Sequence, residues 1–378
     1  MNLDGQRLPC AVVDLDALER NVDRIRERLE GKRCRVASKS VRHVGLLRRI
    51  LRRGGASFQG LMCFTAEEAV FLHAQGFRDL LVAYPTLQPA PLGALAGKGS
   101  TMVDCSQHVQ AAARAGRSAG TPLEVLIELD VSYRRGPVHL GARRSPIRSP
   151  EQALRLAEEI RATEGVRLIG LMAYEAHVAG VPDASPFSPA MNPLKRAMKR
   201  LAQPEVRRLR EATVAALIAA GHSLRVVNGG GTGSVHLTAQ EDCVTEVTAG
   251  SGFVCSHLFS GFQDLDLEPA AFFACEAVRR SDPDMVTVLG GGYVASGEPG
   301  WDKVPVPVGD LKLTPLEAAG EVQTPLTGAG TVALGAPVLF RHAKAGELAE
   351  RFNTYLLVRG GEVVGEEPTY RGEGQAFL

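Results

Sequence analysis

Apolar positions along the chain repeat one rhythm: a short apolar run, then a stretch with apolar residues three and four apart. The helical half is clearest where Leu18, Val22, Ile25 and Leu29 form one stripe. Asp16 reads as the N-cap of that helix, with Glu19 as its capping-box partner and Gly31 as its end. Eight strands are expected after it: Cys34–Ser38, Ser57–Cys63, Asp79–Ala83, Thr101–Asp104, Leu123–Leu129, Val166–Ala173, Leu224–Val227 and Val244–Thr248. Helical patterns over Val44–Leu51, Ala66–Gln75, Gln107–Ala115, Glu151–Thr163 and Leu194–Ala220 separate most of them. Parallel neighbours need crossovers, so this alternation predicts a parallel sheet, and eight repeats predict a closed (β/α)8 TIM-type barrel. The link Pro85–Gly99 shows no convincing helix, and the stretches Val131–Pro150 and Val178–Pro193 read as loops.

The rhythm changes near residue 265. Ala274–Val278, Met285–Leu289, Val304–Val308, Pro337–Phe340 and Thr354–Val358 are short strand patterns between Gly and Pro clusters. They predict a C-terminal antiparallel β-domain, and the strand Ala11–Leu15, which precedes the barrel, is assigned to it. The expected division is residues 1–20 as an N-terminal strand joining the β-domain, 21–264 as the barrel and 265–378 as the β-domain.

Composition narrows the function classes. With 378 residues, 45% of them hydrophobic, the chain can bury a large core. The formal charge is +1, from 43 basic and 42 acidic residues, which argues against nucleic acid or a membrane surface as partner. Seven cysteines lie scattered without a CxxC pair or zinc spacing, as reduced thiols in a cytoplasmic protein would. No apolar run marks a signal peptide at the N-terminus or reaches membrane-spanning length.

In a β/α barrel, chemistry sits at the C-terminal ends of the strands. Lys39 emerges there after the first strand, where a lysine can form a Schiff base with a carbonyl. Taken alone it reads equally as a surface lysine. Asn228 leads into Gly229-Gly230-Gly231-Thr232-Gly233-Ser234 after the seventh strand, and Gly250-Ser251-Gly252 follows the eighth. Two such loops, at the strand ends where barrels hold phosphate, suit a phosphorylated aldehyde opposite Lys39. Tyr84, Asp130, Arg143, Arg144, Tyr174, Glu175 and His177 also follow strands, each readable as rim or as site. Near the C-terminus, His342 and Lys344 project to one face of an extended segment, with metal binding or proton transfer as the chemistry open to the histidine.

The opening run Leu8–Asn21, Ala37-Ser38-Lys39-Ser40, Leu81–Pro85, Gly170–Tyr174, the Asn228–Ser234 loop and Thr245–Ser251 together resemble fold-type III pyridoxal-phosphate (PLP) enzymes. Within that alanine racemase-like group, the nearest likeness is to D-threonine aldolases and D-serine dehydratases. The resemblance implies a PLP-binding barrel with a β-domain, working as a homodimer that shares its active sites. It makes Lys39 the Schiff-base lysine, with Tyr84, Arg143, Tyr174, Gly230, Gly231, Thr232, Gly233, Ser251 and Gly252 around the cofactor. Tyr174 and His177 fall in the substrate region. The implied activity is a lyase on a β-hydroxy-α-amino acid, by D-threonine-type aldol cleavage or D-serine-type dehydration. His177 or His342 is the base for cleavage and Lys39 the base for dehydration. Amino-acid racemisation, with Tyr293 as a second base, and non-catalytic PLP binding stand as alternatives. Metal-dependent members carry His-x-Asp or His-x-Cys near the C-terminus, where this chain has His342-Ala343-Lys344. A protonated lysine has no lone pair for a cation. His342 is left as a candidate ligand; the Lys344 ammonium is expected to replace the metal's charge beside a substrate hydroxyl, with Glu347 as a substitute metal ligand the rival expectation.

Overall fold

The computed structural model describes residues 1–378. β1 (Cys10–Asp14) runs straight into α1 (Leu15–Glu27), so the last residue of the strand caps the helix. The Asp14 carboxylate accepts from the amides of Asp16 (2.9 Å) and Ala17 (3.0 Å). Asp16, the expected cap, lies in the first turn and accepts instead from Arg359 and the Gly360 amide. The helix stops at Glu27, short of Gly31.

The barrel unit then repeats as β2 (Arg33–Ala37), α2 (Val44–Gly54), β3 (Phe58–Cys63), α3 (Ala66–Ala74), β4 (Leu80–Val82), α4 (Pro89–Leu95), β5 (Gly99–Val103), α5 (Ser106–Ala119) and β6 (Leu123–Glu128). A small hairpin, β7 (Tyr133–Arg135) with β8 (Val138–Leu140), interrupts it. It resumes as α6 (Pro150–Ala162), β9 (Val166–Ala173), α7 (Ala176–Ala179), α8 (Asn192–Ala219), β10 (Val226–Gly229), α9 (Val235–Thr238), β11 (Glu246–Ala249) and α10 (Ser251–Val254). β2, β3, β4, β5, β6, β9, β10 and β11 close in that order into an eight-stranded parallel barrel.

Three sequence expectations need correcting. The Pro85–Gly99 link does contain a helix, α4, whose prolines at the start mask the short pattern of buried Leu92 and Leu95. The 131–150 loop carries the β7–β8 hairpin, too short and too polar to register as strands. The seventh barrel strand lies two residues later than its apolar run, and the eighth starts two residues later and ends one later. Their next-to-last residues, Asn228 and Thr248, are polar and line the barrel mouth.

The chain ends in a nine-stranded, mostly antiparallel sheet. Its strands are β1 with β12 (Ala271–Asp282), β13 (Met285–Leu289), β14 (Val306–Pro307), β15 (Lys312–Leu313), β16 (Gln323–Thr327), β17 (Pro337–Arg341), β18 (Thr354–Arg359) and β19 (Glu362–Pro368). β1 lies between β12, antiparallel, and β18, parallel, which joins the N-terminal strand to this domain as its sequence position implied. Phe273 stacks on Phe340 at 5.0 Å within it. No helix is long and apolar enough to cross a membrane.

Inside the barrel, Leu81, Met102, Leu126, Met172 and Val226 pack into one layer. Toward the N-terminal strand ends, Arg35 donates to Glu246 from Nε (2.6 Å) and Nη2 (2.9 Å), with both side chains buried. Removing one member of such a pair strands the other charge, whereas replacing both by apolar groups need not destabilise. Arg35→Met is therefore expected to cost about 3–5 kcal/mol. The double variant Arg35→Met/Glu246→Leu should recover most of that, as read from denaturant midpoints.

Candidate active site

The C-terminal ends of the strands surround a cleft of about 670 Å³, open to solvent on one side. β2 ends at Ala37, and one 3-10 turn, Ser38–Ser40, brings Lys39 to the rim. That turn is held from several directions. Ser38 is buried and donates to the Met62 carbonyl (2.9 Å), while Arg42 Nε donates to the Lys39 carbonyl (3.0 Å). Gly346 of the β-domain also packs on that carbonyl, so closely that a Cβ would sit 1.7 Å from its oxygen. With the backbone held, the Lys39 side chain projects into the cleft and Nζ donates to the Tyr84 hydroxyl at 2.6 Å. The Arg144 guanidinium lies 5.9 Å from the Tyr84 ring.

The glycine loop after β10 forms another wall. Gly230 sits at φ +80°, a conformation costly for any residue with a Cβ. Thr232 Oγ1 accepts from the amides of Gly250 (3.3 Å) and Gly252 (3.1 Å), which ties this loop to the one after β11. The Ser251 hydroxyl lies 3.2 Å from that of Ser40. The amides of Thr232 and Gly233 make no hydrogen bond within the protein, so the loop presents N–H donors together with hydroxyls, as anion-binding concavities do.

Behind the loop lies a buried carboxylate, Glu175, which the sequence left readable either as rim or as site. Glu175 accepts from the Gly230 amide (3.2 Å), Ser234 Oγ (2.6 Å), Thr238 Oγ1 (2.5 Å) and Arg210 Nη2 (2.8 Å). Burial disfavours its charge, but Arg210 and the two hydroxyls outweigh that and hold the carboxyl below the usual range. Arg210 pairs in turn with Glu241. The partners of Glu175 lie 35 to 63 positions away, which no local pattern reveals.

An amine on a free side chain facing a set of N–H donors is what a phosphorylated aldehyde needs, and the fit is to PLP. The family described as the alanine racemase N-terminal domain matches residues 13–232, more than half of the chain. The chain belongs to that family. Among curated relatives, it is 27% identical over 251 residues to 3-hydroxy-D-aspartate aldolase of Paracoccus denitrificans, covering 64% of this chain and 59% of that one. It is 31% identical over 252 residues to D-threo-3-hydroxyaspartate dehydratase of Delftia sp. (strain HT23), covering 64% and 60%. The match thus spans about three fifths of these relatives' lengths. In fold, it superposes on D-threonine aldolase from Filomicrobium marinum with a TM-score of 0.82 at 22% identity, covering 97% of this chain and 95% of that one.

Of the residues singled out in this alanine racemase-like chain, Lys39, Tyr84, Tyr174, Gly230, Gly231, Thr232 and Ser251 line the cleft together. Burial pushes the Tyr174 hydroxyl up to about 12. Gly233 and Gly252 stand one layer back, where a Cβ would strike Phe262 and Thr232 respectively. Arg143 is exposed and outside the lining; Arg144 takes its place, because adjacent residues of an extended chain face opposite ways. Ser40, Asn228 and Thr248 also line the cleft, and the sequence did not single them out. His177 is buried beside it on α7, with no partner for either ring nitrogen. Burial lowers its pKa, so the imidazole is neutral and can accept a proton.

His342 and Lys344 do not join this group. They line a second cleft, of about 590 Å³, with Tyr293, Glu347, Glu350 and Arg351. His342 is fully buried, its Nε2 is 3.1 Å from the Ala345 carbonyl, and burial drives it down to about 3. Lys344 donates to Ser296 Oγ (2.8 Å) and lies 3.7 Å from Glu347. The possible donors do not converge: His342 Nε2 faces the Ala345 carbonyl, Glu347 accepts from the Ser296 amide and hydroxyl, and Glu350 accepts from Arg42, so the residues present do not fit a metal here. Within one chain the β-domain turns His342 and Lys344 toward this second cleft, away from Lys39. Tyr293 is held there too, edge-on to Phe273 (4.9 Å) and Phe352 (5.3 Å).

At the end of β6, Glu128 is buried, and that burial, opposed by Arg144 and reinforced by Asp104 and Asp130, holds its carboxyl up at about 7. The folded protein therefore keeps a proton that the unfolded chain releases from about pH 4.5 upward, and stability falls as pH rises through that window. Glu128→Gln is expected to leave stability unchanged near pH 5 and to raise it by about 3 kcal/mol above pH 8, measured by denaturation across pH.

Proposed function

We propose that this protein is a PLP-dependent lyase acting on D-configured β-hydroxy-α-amino acids, by aldol cleavage or dehydration. The observation that carries the reading is a single cleft in which the Lys39 amine, on Tyr84, faces the glycine loop with its unpaired amides. The kinship to relatives named for hydroxyaspartate and threonine chemistry gives the substrate class. Bound at Lys39, PLP supplies an electron sink for the bond that breaks at Cα or between Cα and Cβ.

The chain's own residues have separable tasks. The amides of Thr232 and Gly233 and the hydroxyls of Thr232 and Ser251 hold the phosphate, and Glu175 fixes the loop that presents them. The Tyr84 hydroxyl orients the Lys39 amine. Arg144, without a carboxylate within salt-bridge distance, supplies a cation for an amino-acid carboxylate. His177, neutral and without partners, takes the β-hydroxyl proton in aldol cleavage, and Lys39, once released, takes the Cα proton in dehydration. The protein acts as a homodimer whose second cleft meets the partner's Lys39 cleft. Its seven free cysteines suit a reducing cytoplasm.

Purified protein mixed with PLP should develop a visible absorption band, and borohydride should bleach it and leave the cofactor's mass on Lys39. With D-threonine or D-3-hydroxyaspartate the products should be glycine and an aldehyde, or ammonia and a keto acid. Racemised alanine, or no turnover with cofactor bound, would refute the lyase reading. His177→Asn is expected to lower kcat for aldol cleavage by about a hundredfold to ten-thousandfold, with PLP affinity unchanged.

A further inference from the structure

Asp104 is an exception among the carboxylates buried in the barrel. Glu175 and Glu241 meet Arg210, Glu246 meets Arg35, Asp183 meets Lys199, and Asp130 meets Arg134 and Arg148. Asp104, whose side chain is 10% exposed, has no arginine or lysine within salt-bridge distance. It directly follows β5, and strand alternation carries it into the barrel mouth two residues past inward-facing Met102. Its close neighbour is His108, with Oδ1 2.8 Å from Nδ1. That approach is oblique, because the buried Nδ1 makes no hydrogen bond of acceptable angle. Cys105 completes the group. It is the N-cap of α5, but its thiol caps no amide. His108 stands in the first turn of α5, and helical side chains lean toward the N-terminus, so its imidazole folds back over Asp104 and Cys105. One carboxylate oxygen, one sulfur and one imidazole nitrogen thus all lie within 4.8 Å of one another.

We propose that Asp104, Cys105 and His108 form a site for a divalent transition-metal ion of the zinc class, separate from both clefts. None of the three lines the Lys39 cleft or the second cleft. An ion bonded to oxygen and nitrogen at about 2.0–2.2 Å and to sulfur at about 2.3 Å holds such atoms about 3.3–3.8 Å apart in a tetrahedron, so small side-chain rotations close the set. Thiolate and imidazole select zinc, cobalt or nickel over magnesium and calcium, which prefer oxygen alone. Binding displaces the thiol proton to solvent. The carboxylate and the thiolate then cancel the ion's two charges, and the ion supplies the counter-charge that Asp104 lacks. The positive end of α5 disfavours a cation, but two anionic ligands at bonding distance outweigh a partial charge. The fourth position falls to water, as in zinc sites that keep one exchangeable ligand. All three ligands come from the segment Asp104–His108, and because only one is a cysteine, counting cysteine pairs passes over it.

The test is titration of the purified, chelator-stripped protein with cobalt(II), read as difference spectra. One cobalt per chain should bind, with a thiolate-to-cobalt charge-transfer band in the near ultraviolet and ligand-field bands in the visible, and zinc should displace it. Cys105→Ser should abolish the charge-transfer band. His108→Gln should weaken zinc binding by at least about tenfold, since even an outer-shell partner of a metal ligand is worth about 10–100-fold. Glu347→Gln, in the second cleft, should change neither. Circular dichroism establishes that each variant is folded; should Cys105→Ser fail to fold, His108→Gln decides alone. No stoichiometric metal, a charge-transfer band that survives Cys105→Ser, zinc affinity unchanged in His108→Gln, or a band lost with Glu347→Gln overturns the proposal. None of these readouts needs turnover or bound PLP, so the result is independent of the function proposed above.

Discussion

Arg210 and Glu175 form an ion pair wholly withdrawn from water, and the glycine loop after β10 hangs on it. Burying two charges is costly unless every remaining lone pair and proton finds a partner. Here Glu175 accepts from the loop's first amide and from two hydroxyls just past it, while Arg210 reaches Glu241 and the Ala173 carbonyl. The need to satisfy the Glu175 carboxylate gives the loop its shape: releasing Ser234 or Gly230 would leave a buried charge under-solvated. A glycine-rich segment, which on its own has more conformational freedom than any other, is thereby held in one conformation.

The other wall of the cleft is stiffened differently. The turn bearing Lys39 lies between the barrel and the C-terminal sheet, which grips it through Gly346 on the Lys39 carbonyl, Glu350 on Arg42 and Tyr370 on the buried Glu68. The β-domain thus acts on the cleft of its own chain from behind, and presents Tyr293, His342 and Lys344 elsewhere. Mobility is left to the lysine side chain itself, the part that has to make and release a bond in the proposed reaction.

Charge in the cleft follows from this packing. Its acidic neighbours, Glu175 and Glu246, are turned away from the lumen and spent on arginines, and Glu128 sits behind Arg144. What faces the lumen is a set of donors: an amine, a guanidinium, hydroxyls and backbone amides. Such a surface favours anionic ligands.

By itself the sequence determined the barrel, the β-domain and the strand-end positions of Lys39 and the glycine loop. Hydrophobic periodicity and glycine runs are local signals, and strand ends in a parallel barrel all converge on one mouth. It did not reveal Glu175, Thr248 or the exchange of Arg143 for Arg144, nor that His342 and Lys344 line a separate cleft within the chain. Those outcomes depend on hydrogen bonds between residues far apart in the chain, on which of two neighbours faces inward, and on how one domain turns against another. Only the closed tertiary structure, where burial drives polar groups distant in sequence to pair, decides them.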